Sequence, residues 1–125
     1  MKKIRILGLS VVFLTMLVGV TMWAAGISAT VKGYVIDSSC TFSKDLRKPI
    51  SPDCAVACAK AGSPLVIQAD NGMIYFPISG TMPASGQNEK LMPFAGQRVT
   101  VTGTVYNKGG SHAIVIEKIE DASKQ

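Results

Sequence analysis

Histidine is nearly missing from this chain, which has only His112. An H-E-x-x-H zinc helix is therefore excluded, and no G-x-S-x-G elbow, P-loop or G-x-G-x-x-G turn occurs either. No pair of carboxylates stands out on the segments that read as strands, which removes glycosidase-type chemistry. Charge is sparse, at 17% of residues. Thirteen Lys and Arg face eight Asp and Glu, but Lys2, Lys3 and Arg5 belong to the extreme N-terminus, leaving ten against eight for the rest. The high isoelectric point is thus a local effect and does not indicate nucleic acid. Aromatics are only 6% of the chain. Tyr34, Tyr75, Phe76 and Tyr106 would be needed together for a base-stacking platform, and without a basic groove they read better as core and rim residues. No internal repeat is present.

The N-terminus is a targeting or anchoring segment. Behind its basic residues, positions 6–25 run without a charge, and Ile27-Ser28-Ala29 offers a cleavage point before Thr30. The run is long for a signal peptide and about long enough to span a bilayer as a transmembrane helix. Residues 1–29 are therefore a signal peptide or an uncleaved membrane anchor holding the inner membrane through residues 6–25. In both cases residues 30–125 are expected on the periplasmic or extracellular side. No cysteine stands directly behind the apolar run, which argues against lipid attachment.

Residues 30–120 are read as one domain and 121–125 as a frayed polar tail. At this size a core alone is marginal, and a crosslink outside the cytoplasm would help. Residues 30–37 form a first strand in which Gly33 marks a bend or bulge. Residues 38–50, polar and basic, are expected as an exposed loop. A helix follows, with Ser51 as N-cap, Pro52 at N1, Asp53 in the first turn, Gly62 at C′ and Pro64 as a stop. Residues 64–69 and 72–77 form a hairpin turned by Asp70-Asn71-Gly72, and a helical piece around 88–92 is ended by Pro93. Residues 97–106 and 112–119 form a second hairpin with Val99, Val101, Val115 and at least two of Ile114, Ile116 and Ile119 buried. Five strands with a small helix between the third and fourth match a mainly β, five-stranded OB-like barrel with a cysteine-bearing helix inserted after strand 1, with a plain small antiparallel barrel or sandwich as the main competitor.

The chain has three cysteines, Cys40, Cys54 and Cys58. An odd number cannot be fully paired within one chain. Cys54 and Cys58 share a helix face, where a disulfide between them is strained. Cys40 reaching back to either one is easier, closing a loop of roughly 15 residues worth about 3 kcal/mol. Alternatively all three hold a soft ion, copper as Cu(I) or Zn²⁺, with Asp37, His112 or water as a further ligand. A third reading is thiol redox chemistry, with Cys54 in the first turn of its helix. For Asp37 the plainer role is to cap the loop that follows it.

The segments 33–40, 54–64 and 96–103 together resemble a group of small exported bacterial OB-like proteins of uncharacterised function with a C-x₃-C helix. Members of that group often carry a histidine three residues before the first helical cysteine, where this chain has Ser51. The resemblance implies an exported OB-like fold and no particular activity. The chain is therefore expected to be an exported binding or interaction module for a protein or small ligand, with no catalytic activity evident. The alternative is a periplasmic metal- or thiol-handling protein using the three cysteines. A single-stranded nucleic-acid binder is a distant third.

Overall fold

The structure is a computed structural model that describes residues 26–122. The N-terminal segment 1–25 and its reading as signal or anchor lie outside the described residues. Five strands form a closed barrel in the order β1-β2-β3-β5-β4. Strand β1 is Ile27–Asp37, β2 Leu65–Ala69, β3 Ile74–Pro77, β4 Arg98–Lys108 and β5 Ser111–Asp121. Neighbours pair antiparallel, apart from β3 and β5, whose parallel pairing closes the barrel. The OB-like architecture expected from the chain is the one found.

β1 serves two partners. Its residues Ile27–Tyr34 pair with β4, and Gly33–Asp37 pair with β2. The exchange falls on Gly33, where a Cβ would overlap the Gln68 carbonyl oxygen, so only glycine lets the two backbones approach. The strand begins at Ile27, three residues before the expected boundary, because Ile27, Ser28 and Ala29 pair with Val105, Thr104 and Gly103. At the other end β5 runs to Asp121, since Glu120 and Asp121 pair with Thr100 and Val99. The tail therefore starts later than expected.

The core joins Val35, Ile67, Val99, Val101 and Ile114 from the strands with Leu91 and Ala95 from the β3–β4 connection. Leu91 belongs to helix α3, Asn88–Leu91, which runs into a 3₁₀ turn over Met92–Phe94. Pro93 does not end this piece, because proline is tolerated in a first turn where its missing N–H is not needed. The second hairpin forms as expected, but Val115 is only half-buried. A register shift at Thr102/Gly103 leaves Ile114 and Ile116 facing inward, and Val115 lies beside Gly80 on the other face.

Two helices sit between β1 and β2: α1, Ser38–Ser43, and α2, Pro52–Lys60. The first corrects the expected exposed loop, of which only residues 44–50 remain outside helix. Helix α1 lies on β1 and β2, and both faces of these strands are inaccessible there. Val35 faces Ile67 on one side and Ile36 faces Val66 on the other, all fully buried. Burial on both faces explains why β2 reads as the continuous apolar run Leu65-Val66-Ile67.

A three-thiol candidate site

Cys40 and Cys54 occupy equivalent positions in their helices. Asp37 is the N-cap of α1, and its Oδ1 accepts from Cys40 N at 3.1 Å. Ser51 is the N-cap of α2, and its Oγ accepts from Cys54 N at 3.1 Å. Each cysteine is thus at N3, its backbone N–H satisfied by the cap. Cys58 follows one turn later on the same face of α2. The start of α2 rests on the barrel at Gly96, where a Cβ would meet the Pro52 backbone and where φ is +80°. Both features demand glycine.

This packing gathers the three cysteines. Their Sγ atoms all lie within 4.8 Å of one another, each residue is half-buried, and all three are free thiols. Among the described residues they are the only such set of His, Cys, Asp and Glu side chains. Ser38–Ser43 being helical, Cys40 does not swing across on a flexible loop; it is held on a short helix packed against the barrel.

Asp37 ties the two helices together. Besides capping α1, its Oδ1 accepts from Ser63 Oγ at 3.2 Å, and Ser63 N donates to the Cys58 carbonyl at 3.0 Å. Asn88 completes the brace. Its Nδ2 donates to Ser63 O at 2.9 Å and Ala59 O at 3.4 Å, while its Oδ1 accepts from Leu65 N at 2.8 Å. A carboxylate with 1% exposure is costly to bury unless it is hydrogen-bonded. Burial pushes the Asp37 carboxyl up, but hydrogen bonds from the Cys40 side chain and backbone, Ser63 and the Ser39 backbone outweigh this and hold it below its ordinary value. The same arrangement pushes the Cys40 thiol up to about 12, through its hydrogen bond to Asp37, then burial, then the nearby negative charge. Burial, followed by the Asp37 charge, raises Cys58 as well.

The secondary ligand candidates fare differently. Asp37 adjoins the thiols but uses Oδ1 as a cap and brace, in line with its plainer reading. His112 stands near the start of β5, beside the β4–β5 turn. It contacts Asn107 at 2.5 Å and lies against Tyr75, ring centroids 5.6 Å apart, so it does not join the cysteines. The aromatic platform is not assembled either. Tyr75 is buried, Tyr106 is exposed, and Phe76 stacks on Phe42 of α1 at 6.2 Å. Ser63 and Asn88 were not among the sequence candidates. Ser63 lies just past α2 and Asn88 opens α3, and neither carries a local signal that ties it to the cysteines.

A separate hollow of about 290 Å³ includes Thr30, Lys32, Asp70, Asn71 and Tyr75 in its lining. Asp70 is ion-paired with Arg98, and the hollow holds no convergent reactive group. The chemistry of the described residues concentrates at the thiols. No protein-family model, curated protein or solved structure matches this chain.

Proposed function

We propose that the domain is an exported binding module whose ligand is a soft, thiophilic ion held by Cys40, Cys54 and Cys58. The observation that carries this reading is the mutual approach of three Sγ atoms within 4.8 Å, drawn from two helices that cap and brace one another. Thiolates select soft metals such as Cu(I) and zinc. The distance supports the choice: around a zinc ion with Zn–S near 2.3 Å, tetrahedral sulfurs stand about 3.8 Å apart, so loading needs only a small contraction. Three protein sulfurs without imidazole suit a three-coordinate ion, and zinc would take water as a fourth ligand. Export follows from the basic-then-apolar N-terminus and fits a site that collects its ligand outside the cytoplasm.

The competing reading is a disulfide from Cys40 to Cys54 or Cys58 with one thiol left over, favoured by the same short distances in an oxidising compartment. Alkylation with mass measurement separates the two. With one equivalent of Cu(I) or Zn²⁺ on the reduced full chain, all three thiols should resist iodoacetamide. Cys40→Ser, Cys54→Ser and Cys58→Ser should each abolish retention of the ion through desalting. Protein that takes up a single alkyl group, is two hydrogens lighter and retains no ion after reduction would instead make the cysteines a structural crosslink.

A further inference from the structure

The three-thiol reading leaves open which thiophile the site suits, and charge decides between the classes. Asp37 is buried with its Oδ1 3.1 Å from Cys40 N, and no Lys, Arg or His pairs with it among the described residues. The backbone N–H groups of Cys40 and Cys54, which would otherwise help to stabilise thiolates, are already taken by Asp37 and Ser51. No backbone N–H donates to any of the three sulfurs among the described residues. Loading Cu(I) as a trithiolate expels three protons for one positive charge gained, leaving the group two charges more negative beside Asp37. Zn²⁺ leaves it one charge more negative. Uncompensated negative charge in a half-buried setting is unfavourable.

On the footing of the three-thiol site, we infer that its ligand class is a trivalent, three-coordinate metalloid hydroxide, of which arsenite and antimonite are the common forms. Such a hydroxide is neutral and condenses with three neutral thiols. Three metalloid–oxygen bonds break and three metalloid–sulfur bonds form. Each thiol proton leaves with a hydroxyl group as water, and neither sulfur nor metalloid changes oxidation state. The adduct adds no charge beside Asp37. It needs three sulfurs and no fourth ligand, which is the set the two helices present.

The test uses the reduced full chain with arsenite and, separately, buffered Cu(I), reading alkylated thiols by mass and affinity by competition with dithiothreitol. Arsenite should protect all three cysteines and stay bound against excess dithiothreitol, a dithiol that offers it only two sulfurs. Each single Cys→Ser change should release it. Asp37→Asn keeps an efficient N-cap, so the helix survives while the charge is lost. That change should leave arsenite affinity within about twofold and strengthen Cu(I) binding roughly tenfold, because only the copper complex accumulates negative charge there. If Cu(I) protects all three thiols but arsenite spares one, the site stands and the metalloid assignment falls. Equal strengthening of both ligands by Asp37→Asn would also overturn the assignment. If neither ligand protects more than two thiols, the three-thiol site itself is wrong, and this inference with it.

Discussion

At the scale of single residues, Asp37 does most to shape the site. It caps α1, braces Ser63 and sets the protonation of Cys40. Removing its side chain with Asp37→Ala should lower stability by about 2 kcal/mol, the loss of a cap together with a hydrogen bond to a charged group, measurable by denaturant unfolding. Its folded pKa is depressed, so its contribution is present above the unfolded value near 3.9 and is lost as pH falls through the folded value. Asp37→Asn should flatten that acid limb of the stability curve. It should also speed iodoacetamide modification of Cys40, whose thiol is otherwise held protonated at neutral pH. An unchanged acid limb together with an unchanged Cys40 rate would show that Asp37 neither ionises nor touches the thiol as described.

At the scale of elements, the strands and α2 were legible and α1 was not. Alternation over residues 97–106 and the turn at Asn107-Lys108-Gly109-Gly110 placed the second hairpin, and Ser51, Pro52 and Gly62 bracketed α2 correctly. The segment 38–43 read as loop because three serines, a threonine and no apolar periodicity resemble one. Its helicity comes from the Asp37 cap, Thr41 Oγ1 bonding back to the Asp37 carbonyl at 3.2 Å, and packing on β1 and β2. Tertiary contact decided that element. The misplaced Val115 has a different cause, since a bulge resets alternation in a way that composition does not signal. Strand β4 carries a flaw of its own. Thr100 is 8% exposed and its hydroxyl has no partner among the described residues. Thr100→Val removes that orphaned group at nearly constant shape and should stabilise the protein by about 1 kcal/mol, read as a raised thermal midpoint. A lowered midpoint would show that the hydroxyl is bonded.

At the scale of the whole molecule, strand count and order were enough to anticipate a five-stranded barrel with a helix between strands three and four. Closure was not readable, because it depends on the parallel β3–β5 pairing between segments more than thirty residues apart. The cysteines were legible as the reactive residues and their convergence was expected; the means was not, because Cys40 is held by α1 and by a brace through Ser63 and Asn88 rather than on a flexible loop. The barrel supplies a rigid floor, β1 and β2 hold both helices, and the two N3 positions bring thiols from separate helices to one point. X-ray absorption of the full chain loaded with one equivalent of Cu(I) or arsenite tests that assembly most directly. Three sulfur neighbours around the bound atom, one from each cysteine, is the predicted first shell. A shell of two sulfurs completed by oxygen or nitrogen would contradict it.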